Sequence, residues 1–318
     1  MAGKKRTVRR DVAAEVTATF IAQVEKAIAN GEAPVWRNPW VAGGRPVSMS
    51  TRKAYRGINV LLLAIAAMEG GYMAPWWGTY RQIKALGGQV RKGEKGTQVV
   101  LYKTWVKTER DEATGELVER RIPTLRTFSV FNAEQADGLP ERFYAKTGAE
   151  VTMPEPQAVL DGYLAGKGAP EFFQDVLGQA YFVPALNEVH VPPMKGHRTP
   201  DLYWSTVFHE VGHAADYGLR READEAEHGR AKSTYAFGEL VAEMTAGIVG
   251  AETGVEIDGD NSVAYLRGWV RALSDDPRML TRAAAAAQRT ADVILGVAEL
   301  DEDGDDEGDA GEPAALAA

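Results

Sequence analysis

The chain has 318 residues and a net charge of −9, but residues 1–130 carry 22 Lys and Arg against 11 Asp and Glu, a net +11, and the remainder carries −20. That asymmetry points to a nucleic-acid or other anionic contact at one end, while 45% apolar and 25% charged residues suit a chain with a packed core in about two domains. The absence of cysteine excludes disulfides, thiolate nucleophiles and Cys-based metal sites; no apolar run approaches about 18 residues, and MAGKKRTVRR lacks an apolar stretch behind its charges, so a cytoplasmic protein with no membrane span and no secretory signal is expected.

Residues 1–10 hold five basic residues and read as a flexible arm. Val12, Val16, Phe20, Val24 and Ile28 recur every four positions, which predicts a helix over 11–30, stopped at Asn30-Gly31. Residues 31–57, rich in Trp, Pro, Gly and Arg, read as a loop. The spacing then predicts a buried helix from Ile58 to Glu69 and a short helix over Thr79–Leu86. A tight turn at Lys92–Gly96 leads into a strand over Gln98–Lys107, a polar turn and a return strand to about Asn132. The pattern weakens over 141–155, which is read as a linker between a domain at 11–140 and a second at 156–300. In the second, a helix is expected over 156–178, a strand-like stretch over Ala180–Val191, and a helix opened by Thr199-Pro200, a hydroxyl N-cap before proline. Further helices are expected at Tyr235–Val249, Asn261–Leu273 and Arg278–Glu299. Residues 301–318 contain eight acids and no base, and read as a disordered acidic tail.

The sharpest motif is His209-Glu210-Val211-Gly212-His213. Positions i and i+4 share a helix face, so His209 and His213 can direct two imidazoles at one Zn²⁺. Glu210 can then act as general base on a metal-activated water. The pattern equally describes two surface histidines on an amphipathic helix. A third ligand must come from elsewhere, because Leu219 stands where a third histidine of the longest such motif falls. Glu239 and Glu243 repel one another at i, i+4 unless a cation lies opposite, so they are the next candidates. Glu239 is assigned as ligand and Glu243 as the carboxylate that orients a ligand histidine, with the exchange of the two left open. Asp216 is a weaker candidate, and His190 and His197 are left outside the site. Gly212 costs about 1 kcal/mol in a helix interior, which a close backbone approach would explain.

In the basic half, five of seven tryptophans fall between 36 and 105. Trp36, Arg37, Trp40, Arg52, Lys53, Tyr55, Arg56, Trp76, Trp77, Tyr80, Arg81, Lys92 and Lys95 are the candidate nucleic-acid contacts. Bases stack on aromatics and cations follow the backbone in sequence-tolerant single-strand binding. Each tryptophan could equally be core. The turn at 92–96 lacks the spacing of a nucleotide-binding loop.

Several segments resemble the ArdC-type antirestriction proteins of plasmids and phages, in order along residues 11–295. In the front half they are Pro34–Trp40, Ala54–Asn59, Thr79–Gln82, Val90–Gly96 and Phe128–Asn132 with Gln135 and Gly138-Leu139-Pro140. In the back half they are Ala180–Phe182, Val191–Pro193, His209–His213, Glu239–Glu243, Tyr265 with Trp269, and Ala287–Arg289. The chain departs from that family at Gly238, where a further Glu is usual. The resemblance implies an α+β protein: an N-terminal mixed α/β single-stranded-DNA-binding domain, then a mainly helical zincin-like metallopeptidase domain. It implies a mobile-element protein that coats single-stranded DNA and shields it from host restriction. A metallopeptidase cutting a host restriction enzyme or other protein, with DNA for targeting, is the alternative.

Overall fold

The computed structural model describes residues 11–30, 45–110, 117–144, 153–175, 178–226, 235–256 and 263–297. The basic arm, the acidic tail and much of the 141–155 linker therefore lie outside the described residues, as do Trp36, Arg37 and Trp40.

The chain opens with α1 (Val12–Asn30), capped by Asp11, whose carboxylate accepts from the Ala14 amide at 3.2 Å. Val16, Phe20 and Val24 are buried, as their spacing requires. After β1 (Val47–Ser48), α2 (Ile58–Gly70) is apolar nearly all round and buried over Ile58–Ile65 except Asn59. It ends where Gly71 adopts φ 68°, a left-handed cap that glycine adopts without cost. Asn59 is the polar exception in that helix. Its amide donates to Val100 O and accepts from Val100 N, both at 2.7 Å, and so ties α2 to the sheet.

That sheet has the order β1-β2-β5-β4, with β2 (Trp76–Thr79), β4 (Thr97–Arg110) and β5 (Leu117–Asn132). β4 and β5 pair antiparallel from Thr97↔Val130 to Arg110↔Leu117. Short helix α3 (Tyr80–Ala85) follows β2 directly, because Thr79 and Gln82 form a reciprocal capping box. β3 (Gln89–Val90) pairs with β6 (Ala136–Asp137) in a separate ribbon.

The second half is mainly helical. The helix expected over 156–178 stops early: α4 spans Pro156–Leu164 and gives way to β7 (Glu171–Phe173). The break falls at Gly166, Gly168 (φ 78°) and Pro170, residues that continue no helix. The strand-like stretch after Ala180 is a hairpin, β8 (Tyr181–Val183) and β9 (Glu188–His190), turned at Asn187 with φ 55°. These strands order as β7-β9-β8 against α5 (Pro200–Ala226). Helices α6 (Tyr235–Thr253), α7 (Val263–Asp275) and α8 (Met279–Ile294) complete the bundle.

One hydrophobic core joins the two halves. Phe20 of α1 and Leu61 and Ile65 of α2 belong to the same buried cluster as Val207 of α5, Leu240 of α6, Trp269 of α7 and Ala287 of α8. Polar bonds reinforce the join. Arg56 pairs with the buried Asp292, Arg45 pairs with Glu252, and the Gly57 amide donates to Gln288 at 3.0 Å. No described helix is long and apolar enough to cross a membrane.

Candidate metal centre

Helix α5 carries the motif in its middle, where its ladder is complete and side-chain directions are fixed. Val207, Phe208 and Val211 are fully buried, which turns His209 and His213 towards α6. Gly212 marks the crossing of the two helices. A methyl group there would lie 3.4 Å from the Ala242 Cα, the Ala242 carbonyl and the Thr245 Cβ. A side chain larger than that methyl would hold α6 away, so the motif's glycine leaves room for α6 to present Glu239.

The Nε2 atoms of His209 and His213 face each other at 3.1 Å. Glu239 places one carboxylate oxygen 3.6 Å from the His209 Nε2 and the other 3.5 Å from the His213 Nε2. For ligands at 2.0–2.1 Å in a tetrahedron, neighbouring donor atoms stand roughly 3.3 Å apart. The donor set of two imidazoles and one carboxylate, all within 4.8 Å of one another, therefore fits a single divalent ion. Glu243 lies on the other side of His209, 3.7 Å from Nδ1. That is where a carboxylate orients a ligand imidazole rather than binding the ion.

Electrostatics follow from burial and this crowding. Burial alone would lower the pKa of His209, but the hydrogen bond it donates to Glu239 and the charges of Glu243, Glu210 and Glu239 outweigh it and hold the imidazole at about 9. His213 is driven down to about 4 by burial and by the neighbouring His209 charge. Burial raises Glu210 to about 7, partly offset by the positive His209 and by a hydrogen bond from the Phe182 backbone N–H. Burial raises Glu243 as well.

Asp216 is not one of the converging donors. It is 5% exposed and accepts from Arg220 at 2.7 Å. His190 is also remote in role: it stacks on Phe173 and Tyr181 and meets Asp175 at 3.0 Å. Two participants escaped sequence reasoning. The Phe182 amide reaches Glu210 only through the fold. The Tyr235 hydroxyl bonds Glu239, and its place four residues before that carboxylate was a readable signal.

The candidate nucleic-acid residues divide. Arg52, Lys53, Arg81, Lys92 and Lys95 are exposed, and Tyr80 is 45% exposed. Lys92 and Lys95 flank Glu94, which is pinned by Arg91 at 2.8 Å and Gln135 at 3.0 Å, so the turn is held while its lysines face solvent. Trp76 is half-buried and packs edge-on against Phe143 at 5.3 Å. Tyr55 is half-buried, and Arg56 is engaged with Asp292. Trp77 must be corrected: at 1% exposure it fills the core beside Leu63, Val99 and Val130, with no face for a base.

Comparison with known proteins places this geometry. Residues 10–131 match the N-terminal domain of anti-restriction factor ArdC, and residues 160–286 match the zincin-like metallopeptidase family. The metal-free crystal structure of antirestriction ArdC protein from the R388 plasmid is 38% identical over 91% of this chain and 98% of that one, with a TM-score of 0.69. The chain belongs to the ArdC antirestriction family. The R388 ArdC structure with Mn(II) bound is similar at 37% identity and a TM-score of 0.68, over 92% of this chain and 99% of that one. Family membership establishes the α+β organisation, with a mixed N-terminal half and a mainly helical zincin-like half. A divalent metal suits a zincin-like domain with this donor set. Among other relatives, the uncharacterized protein y4eC of Sinorhizobium fredii is 33% identical over 89% of this chain and 91% of its own length. DNA primase TraC of Escherichia coli is 34% identical over 89% of this chain. The chain spans only 27% of that primase's length.

Proposed function

We propose that this protein binds single-stranded DNA through its basic half and protects it from restriction. In this reading the zincin-like half holds Zn²⁺ on His209, His213 and Glu239. The observation that carries the metal assignment is the convergence of the two Nε2 atoms and both Glu239 oxygens at 3.1–3.6 Å. Exposed Arg52, Lys53, Arg81, Lys92 and Lys95 around half-buried Trp76 and exposed Tyr80 support the DNA reading. Cations along a strand with aromatic faces for bases give salt-sensitive, sequence-tolerant binding.

A second reading, a peptidase acting on a host protein, is favoured by Glu210. A Zn²⁺ ion supplies Lewis acidity and a water of lowered pKa. The Glu210 carboxylate, buried beside His209 and steadied by Phe182 N–H, would be placed to accept a proton from such a water and to pass it to a leaving amide nitrogen. Glu243 holds the His209 ring from behind.

Two measurements test these readings. Single-stranded oligonucleotide should quench tryptophan fluorescence, less so as salt rises; no quenching and no gel shift at low salt would overturn DNA binding. The protein should purify with about one zinc, and Glu210→Gln should keep both DNA binding and protection from restriction. Loss of protection with DNA binding intact would transfer the function to the peptidase.

A further inference from the structure

The face of α5 that bears the metal-binding histidines continues past them. At about 100° per residue, His209, His213, Asp216 and Arg220 fall within an arc of about 60°. Arg220 lies two turns beyond His213, but long helical side chains lean towards the N-terminus. Its contacts show this lean: Nε donates to the Asp216 carbonyl at 3.4 Å and Nη2 to the Asp216 carboxylate at 2.7 Å. The guanidinium thus sits at the level of Asp216, about one turn, roughly 5 Å along the axis, from His213.

The arrangement is not an ordinary surface ion pair. Asp216 is 5% exposed, whereas Arg220 is 42% exposed, so the acid is committed to the protein and the base is offered to solvent. Burial raises the Asp216 pKa, and Arg220 and Arg289 of α8 counter the rise, so two cations bear on one carboxylate. Among the described side chains the excess is one positive charge. Among the described residues Nη1 of Arg220 has no acceptor. A guanidinium with one side tethered and one side open is a preorganised carboxylate receptor.

We propose that Arg220, tethered by Asp216, binds a carboxylate of a peptide lying in the metal cleft, on the residue next to the scissile bond. This rests on the peptidase reading above and names the substrate class of that site. The ion lies between His209 and His213, so the guanidinium stands roughly 8 Å from it along the helix. A metal-bound carbonyl, the next carboxylate about 4–5 Å on and a charge-assisted bond of about 3 Å span a similar distance.

The test uses the zinc-loaded full chain and three hydroxamate-capped peptides of one length. One ends in a free carboxylate, one is amidated but carries an aspartate beside the hydroxamate, and one has neither. Affinities are compared as ratios within each protein, which removes any change in metal affinity. At least one carboxylate peptide should bind about tenfold more tightly than the neutral one, the scale of a charge-assisted bond. Which peptide gains tells a chain terminus from an acidic side chain. The ratio should fall to near one in Arg220→Gln, sit between in Arg220→Lys, and persist in the control Arg221→Gln. Equal binding in the wild type, or a ratio that survives Arg220→Gln, overturns the proposal while the peptidase reading stands. If none of the three binds, the peptidase reading falls with it.

Discussion

His209 offers its two ring nitrogens to different carboxylates, Nε2 to Glu239 and Nδ1 to Glu243. In the metal-free protein these acids keep its proton to about pH 9. That proton stabilises the fold fully below the ordinary imidazole pKa of about 6.5 and progressively less as pH rises to about 9. Zinc must displace it, because a ligand imidazole is neutral. Calorimetric titration with zinc at pH 7.5 should therefore release about one proton, read from the dependence of the heat on buffer ionisation enthalpy. Apparent affinity should tighten as pH rises towards 9. A buffer-independent heat would show that His209 is already neutral. The motif residues themselves were legible from spacing alone, because i and i+4 on a helix is a local relation. The choice between Glu239 and Glu243 was not, since it depends on how far α6 is turned and how near it comes.

The crossing of α5 and α6 turns on Gly212. A methyl at 3.4 Å from three atoms is at ordinary contact, so Gly212→Ala should fold, with up to about 1 kcal/mol of helix propensity recovered. Gly212→Val adds two carbons beyond that methyl where there is no room, should push α6 away and should lower zinc affinity more than tenfold. Equal zinc affinity in both variants would mean that the crossing does not set the site. A second pair of variants separates packing from DNA contact. Among the described residues, Arg56→Ala leaves the buried Asp292 carboxylate with the Gln288 amide at 3.1 Å as its one side-chain partner. It should cost about 2 kcal/mol, below the range for a fully buried pair because Arg56 is partly exposed. Lys92→Ala should leave stability unchanged and weaken oligonucleotide binding with a shallower salt dependence. Both residues read alike in the sequence as basic neighbours of aromatics. Only the fold, which brings α8 against the start of α2, separates them. For the same reason Trp77 could not be told from Trp76: alternation along β2 buries one and half-exposes the other, and its phase depends on which face meets the core.

At the scale of the molecule, charge and composition divide the chain in two, while packing joins it. The apolar stripe of α1 was visible in the sequence, but its partner was not: it lies against α7 and α8, about 250 residues along the chain. A single cooperative unfolding transition is therefore expected by calorimetry. Two separated transitions would contradict the shared core. Expressed alone, residues 156–300 should bind a hydrophobic dye, because the surfaces of α6, α7 and α8 facing Phe20 and Leu61 would be bare.

A core held in common also makes ligand linkage global. An ion that binds only the folded state at a hundred times its dissociation constant adds about 2.7 kcal/mol to the stability of everything that unfolds with its site. If α1 and α2 melt together with α5 and α6, zinc raises the melting temperature of the basic half without touching it. Chelation would then weaken that half even where no peptide bond is ever cut. A requirement for metal and a requirement for catalysis are, in this molecule, separable quantities.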